Sequence, residues 1–114
     1  MKKDILYITD DDSEVIKKII EKSDEELSLI THGTDSMVDT SHYLKDIGDK
    51  TIVLTGALAP AKFQNTDAIF NIGCAIAAVQ TLKHGAWVVR NGRVWHPDQV
   101  VKNRDANRFE YSSN

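Results

Sequence analysis

An α/β fold on a mostly parallel sheet is what this sequence predicts, and three observations predict it. Strand-like apolar runs alternate with runs of helical period, which is the pattern of βαβ units. Thr51-Ile52-Val53-Leu54 is β-branched and apolar on both faces, as a central strand covered from both sides should be. The 114 residues show no internal repeat, low-complexity tract or linker, so residues 1–114 are expected to form a single domain. Right-handed crossovers are expected between such parallel strands, with ligands at the strands' carboxyl ends.

The elements follow in order. Ile5-Leu6-Tyr7-Ile8 is a short candidate strand. Thr9-Asp10-Asp11-Asp12-Ser13-Glu14 reads as a helix entrance, where short polar side chains accept from orphan N–H groups and acids suit the dipole. Val15, Ile16, Ile19 and Ile20 then give an apolar stripe at helical spacing, with Lys17, Lys18 and Glu21 outside it. Leu27 to Thr31 is a second strand, ending at His32-Gly33. From Ser36 a second helix is expected, with Met37, Ser41, Tyr43 and Leu44 inside and Gly48 stopping it. After the strand at Thr51–Leu54, Gly56 to Thr66 reads as a loop containing Pro60. A third helix, about Asp67 to Leu82, places Ile69, Ile72, Ile76 and Val79 on one side. Gly73, Ala75, Ala77 and Ala78 would let it lie close to the sheet. Ala86-Trp87-Val88-Val89 is a further strand, Asn91-Gly92 a turn, and Val94-Trp95 a short returning strand.

Composition narrows the function. Hydrophobic residues at 41% and charged residues at 27% are ordinary for a soluble globular domain. No apolar run reaches the roughly 20 residues of a spanning helix, and the N-terminus lacks the apolar stretch of a secretory signal. A net charge of −3 gives no basic excess for nucleic acid, although bases predominate toward the C-terminal end. Cys74, the sole cysteine, cannot form an intrachain disulfide, and its apolar neighbours suggest a small buried thiol. These features point to a cytoplasmic protein that binds neither membrane nor nucleic acid. His32, His42, His84 and His96 are scattered without ligand spacing, so no metal is implied.

Taken alone, Gly33-Thr34-Asp35-Ser36 would be a helix cap. Its context says more. Ile30-Thr31-His32-Gly33-Thr34-Asp35-Ser36-Met37 is similar to the second active-site motif of the bacterial-type asparaginase/glutaminase family. The resemblance continues through Lys50 to Leu58, Pro60 to Phe63, Thr66-Asp67-Ala68 and Phe70 to Gly73. It ends with Asn91 to Val94, Pro97-Asp98, Lys102-Asn103-Arg104 and Arg108-Phe109-Glu110, in the manner of the family's short single-domain members. It covers about Lys3 to Glu110.

What the resemblance implies is a three-layer α/β/α sandwich like the asparaginase N-terminal domain, hydrolysing L-asparagine to L-aspartate and ammonia without a cofactor. Thr34 would be the family's second threonine, helping to activate a nucleophile. Asp35 would bind the substrate's α-amino group, Lys102 would be the nearby proton-accepting lysine, and Ala57 would line the pocket through its backbone. Without the resemblance, Lys102 reads as a surface ammonium. His32 would be a structural hydrogen-bonder. A homo-oligomer is also implied.

The family's first motif, a Thr-Gly-Gly-Thr-Ile-like segment with the primary nucleophile, is missing: no glycine precedes Gly33. The expectation is therefore an N-terminally truncated domain lacking the first strand, weak or inactive alone, with backbone left unpaired beside it. In the family's further binding segment, Lys3 to Tyr7 is the comparable stretch, with Ile5 in place of a hydroxyl and Asp4 as a substitute ligand. Two other readings stand beside this one. One is a non-catalytic asparaginase-like module for binding or oligomerisation. The other is a phosphoacceptor receiver-like domain suggested by Asp10-Asp11-Asp12, although that needs a Lys-Pro pair the sequence lacks.

Overall fold

The computed structural model describes residues 4–33, 36–56, 66–90, 93–103 and 108–111. A five-stranded sheet has the order β1-β2-β3-β4-β5. Its strands are β1 (Ile5–Thr9), β2 (Leu27–His32), β3 (Thr51–Gly56), β4 (Gly85–Arg90) and β5 (Arg93–Trp95). The first four run parallel, and β5 returns antiparallel along β4. The parallel connections carry α1 (Ser13–Lys22), α2 (Met37–Leu44) and α3 (Thr66–Thr81). A 3-10 turn at Pro97–Gln99 leads into a separate antiparallel pair, β6 (Val100–Asn103) and β7 (Arg108–Tyr111). Those two strands were not expected from the sequence. They are four residues each, too short to show a clear period.

Strand side chains alternate between faces, so the sheet has two cores. On one face Ile8, Ile30, Ile52, Leu54 and Val88 meet Ile16 and Ile20 of α1 and Met37 and Leu44 of α2. On the other, Leu27, Leu29, Val53 and Val89 meet Ala75, Ala78 and Val79 of α3. This is the expected three-layer sandwich. Every residue of β2 and β3 is buried. Each large apolar side chain there contributes roughly 1.5–3 kcal/mol by leaving water.

One expectation about handedness fails. From β1 to β4 the chain moves one position in the same direction at every step, yet α1 and α2 cover one face and α3 the other. The connection through α3 therefore has the opposite hand to the other two, and not all three can be right-handed. β1 pairs with β2 from Ile5↔Leu27 to Thr9↔Thr31. The sequential strand order also departs from the receiver-like arrangement, whose first strand lies between its neighbours.

Helix faces are narrower than the apolar patterns suggest. Ile16 and Ile20 of α1 are fully buried, while Val15 and Ile19 flank the contact and are exposed. Tyr43 of α2 is also exposed, its ring 4.8 Å from Lys17 Nζ, a cation–π contact between α1 and α2. That helix ends at Leu44, before Gly48. In α3 the buried positions are Asn71, Ala75, Ala78 and Val79, whereas Gly73, Ile76 and Ala77 face outward. The small alanines at the contact let α3 approach the sheet, and Ile76 lies on the helix's outward side. Cys74 is partly rather than fully buried, packed at the border of the α3 core. The Gly56–Thr66 loop and the Asn91-Gly92 turn lie outside the described residues apart from Gly56 and Thr66, and so does the side chain of Ile69. Among the described residues no helix is long and apolar enough to cross a membrane.

Candidate active site

The carboxyl ends of β1, β2 and β3 lie level, with Thr9 opposite Thr31 and His32 opposite Gly56. The acidic turn after β1 is distributed among three tasks. Asp10 Oδ1 accepts from the Asp12 N–H at 2.8 Å. Asp12 Oδ1 accepts from the Glu14 and Val15 N–H groups at 2.9 and 3.2 Å and caps α1. Asp11 reaches across the edge, where its Oδ1 accepts from the Gly33 N–H at 2.7 Å. A side-chain carboxylate thus holds the backbone of the turn that leaves β2.

His32 secures the same turn from beneath. Its side chain is fully buried. Nδ1 lies 2.7 Å from the Gly33 carbonyl oxygen, which can only accept, so Nδ1 carries the proton. In the neutral ring Nε2 is left to accept from the Thr40 hydroxyl of α2, 2.9 Å away. The Asp11 carboxylate stands 3.7 Å from Nδ1. The ring therefore ties β2 to α2 and fixes the carbonyl of Gly33, the structural role expected of it. A Cβ placed on Gly33 would come within 3.2 Å of Asp11 Oδ2, so the close approach of the carboxylate favours glycine.

On the opposite face of the sheet, hydroxyls gather. Thr31 Oγ1 is 2.9 Å from Thr9 Oγ1 and 3.5 Å from Tyr7 OH. These contacts, Thr31 first and Thr9 second, hold the Tyr7 phenol below its ordinary pKa, with burial opposing them. Thr55, next in the row, is fully buried, and its Oγ1 has no partner among the described residues. No group of three or more metal-ligating side chains occurs among the described residues.

Comparison with known proteins identifies the family. Residues 7–114 match the family model described as asparaginase, N-terminal. The chain belongs to the asparaginase family. L-asparaginase 2 of Escherichia coli is 34% identical over 80 residues, covering 65% of this chain and 23% of that protein. A glutaminase-asparaginase of Pseudomonas aeruginosa is 25% identical over 99 residues, 82% of this chain and 26% of its own length. A third, the glutaminase-asparaginase of Acinetobacter glutaminasificans, is 28% identical over 92 residues, 76% of this chain and 28% of its own. The chain spans about a quarter of the length of these curated relatives.

Within this asparaginase-family domain the predicted site residues fare differently. Thr34 and Asp35, between Gly33 and Ser36 in the sequence, lie outside the described residues, and so does Ala57, which follows Gly56. Lys102 is in β6, opposite Phe109, with its side chain outside the description. Asp4 precedes Ile5 at the amino end of β1. A five-residue strand rises roughly 16 Å, so the structure does not bring Asp4 to the edge where Gly33 lies. Parallel pairing of β1 with β2 is what places it there. Asp11, Thr9, Tyr7 and Thr31 were missed as a group. One signal was present: capping α1 needs a single acid, and the run Asp10-Asp11-Asp12 supplies more.

A cavity of about 400 Å³ opens at the other edge, between the starts of β2 and β3 and the end of α3, lined by Leu27, Thr51, Val79, Lys83 and His84 among others. It is remote from the motif, and its shape alone assigns it no chemistry.

Proposed function

We propose that this domain carries part of a site that hydrolyses the side-chain amide of L-asparagine, or of a close amino-acid relative, to the carboxylate and ammonia. The observation behind it is the Thr31-His32-Gly33 segment. It stands at the carboxyl end of a fully buried strand, held by Asp11 and Thr40, immediately before Thr34-Asp35. The family match across residues 7–114 and the amidohydrolase names of the relatives support the same chemistry. A rigid anchor before a catalytic pair lowers the entropy cost of presenting it. In this scheme Asp35 binds the α-ammonium group, Thr34 helps activate the nucleophile and Lys102 accepts a proton. Assembly into a homo-oligomer belongs to the same proposal.

The test is ammonia release from L-asparagine by the purified protein, with its size measured on the same sample. Thr34→Ala and Lys102→Met are each expected to abolish release. An unchanged rate in either would remove that residue from the site. A folded sample with no release would favour the non-catalytic module for binding or oligomerisation.

A further inference from the structure

The cavity of about 400 Å³ at the amino edge of the sheet has walls of two kinds. Leu27 and Thr51 are register partners at the starts of β2 and β3, so their side chains point to the same face, the one α3 covers. Leu27 and Val79 belong to the core beneath α3, and Leu82 packs against it. These three form an apolar floor. Lys83 and His84, just past the end of α3, supply a polar rim. His84 Nε2 lies 2.9 Å from Glu26 Oε2, so the acid on the wall is already engaged. The Lys83 ammonium has no partner among the described residues. Thr51 is the residue that packing does not explain. It is 2% exposed, and its hydroxyl has no hydrogen-bond partner among the described residues. A hydroxyl withdrawn from water without a partner costs roughly 1–3 kcal/mol, whereas valine would suit a strand equally well without that cost. Water in the cavity would satisfy the hydroxyl but would leave the apolar floor wet. An organic ligand serves both.

We propose that this cavity binds a small organic acid with an apolar body. Its carboxylate accepts from the Thr51 hydroxyl and the Lys83 ammonium, and its hydrocarbon lies on Leu27, Val79 and Leu82. A volume of this order suits one compact ligand held by an apolar floor and a few polar groups. Hydrogen bonds to an ionised carboxylate are among the stronger ones, which is why one hydroxyl and one ammonium suffice to orient it. The ligand would bridge the end of α3 to the starts of β2 and β3. Because it would bind only the folded chain, it would raise the domain's stability as its concentration rises. The Thr31-His32-Gly33 turn stands at the other end of β2, a strand of six residues that rises roughly 16 Å from Leu27 to His32. The site is therefore separate from the amide-hydrolysing one and does not depend on that function.

The experiment titrates the purified protein with 4-methylpentanoate, following heat by calorimetry and backbone amide shifts by NMR. The uncharged 4-methylpentanamide and the oppositely charged 4-methylpentan-1-amine are the controls. The expected result is saturable binding of the acid, with the largest shifts at Leu27, Thr51, Val79 and Lys83 and little change at Gly33. The amide should bind on the order of 10-fold more weakly, and the amine more weakly still. Thr51→Val and Lys83→Gln should each raise the Kd of the acid on the order of 10-fold. Without ligand, Thr51→Val should melt no lower than wild type, because the hydroxyl it lacks has no partner among the described residues. A lower melting temperature in that variant would make the hydroxyl structural and overturn the proposal. So would the absence of saturable binding, shifts centred on Gly33, tighter binding of the amine, or an unchanged Kd in either variant.

Discussion

The two edges of the sheet are built from similar polar residues and use them in opposite ways. At the amino edge, Lys50 Nζ donates to the Ser23 and Glu25 carbonyl oxygens at 2.6 and 2.7 Å, and His84 Nε2 lies 2.9 Å from Glu26 Oε2. Asp98 meets Lys45 there, at the end of α2. These contacts close connections between elements. At the carboxyl edge, Asp11 and His32 also tie backbone, but the result is a fixed Gly33 turn with hydroxyls standing beside it. The difference follows from parallel topology. Every βα turn leaves from the carboxyl edge, so its loops gather there and can present side chains to a ligand.

The contrast can be broken or sharpened by substitution. Leu54→Ala empties a fully buried position beneath both edges and should cost about 2–5 kcal/mol, read from the urea midpoint. It is the control that weakens both edges alike. Lys50→Met should lower stability by about 1.5–3 kcal/mol through its two lost carbonyl bonds, yet leave ammonia release by the folded protein unchanged. A matching fall in rate would show that the amino edge participates in function. Thr40→Val deprives the buried His32 Nε2 of its donor and should cost about 1–3 kcal/mol. Unlike Lys50→Met, it should slow release by loosening the Gly33 turn, and an unaltered rate would separate His32 from the site. The smallest effect is expected at Asp98. The hydrogen bond from Lys45 holds its carboxyl below the ordinary range, with His96 and His42 adding to the effect. Its contribution is therefore present above about pH 4 and lost as pH falls through the lowered value. An acid titration of Asp98→Asn should be flatter than wild type in that window.

Much of the fold was legible because its signals are local. The β-branched run Thr51–Leu54 is strand-forming in any context, and Ile16 with Ile20 gives a helical stripe that the structure buries. Burial at the edges of those stripes was not legible. Val15, Ile19, Tyr43 and Ile76 fit the period but face out, because period names a side of the helix while the neighbouring element sets how wide the contact is. Lys102 lies in β6, a strand unforeseen because neither it nor its partner β7 is long enough to show a period.

By itself, then, the sequence determined the α/β alternation, the order of the elements and the family, since each depends on spacing and identity along the chain. Tertiary structure alone decided which face each helix covers and the odd hand of the α3 connection. It also put Asp4 at the wrong end of the sheet and Asp11 against Gly33. The Thr9–Thr31 contact joins residues 22 apart in the chain. Only the register of two parallel strands could bring them within 2.9 Å, because register is set by side chains packing from many elements at once.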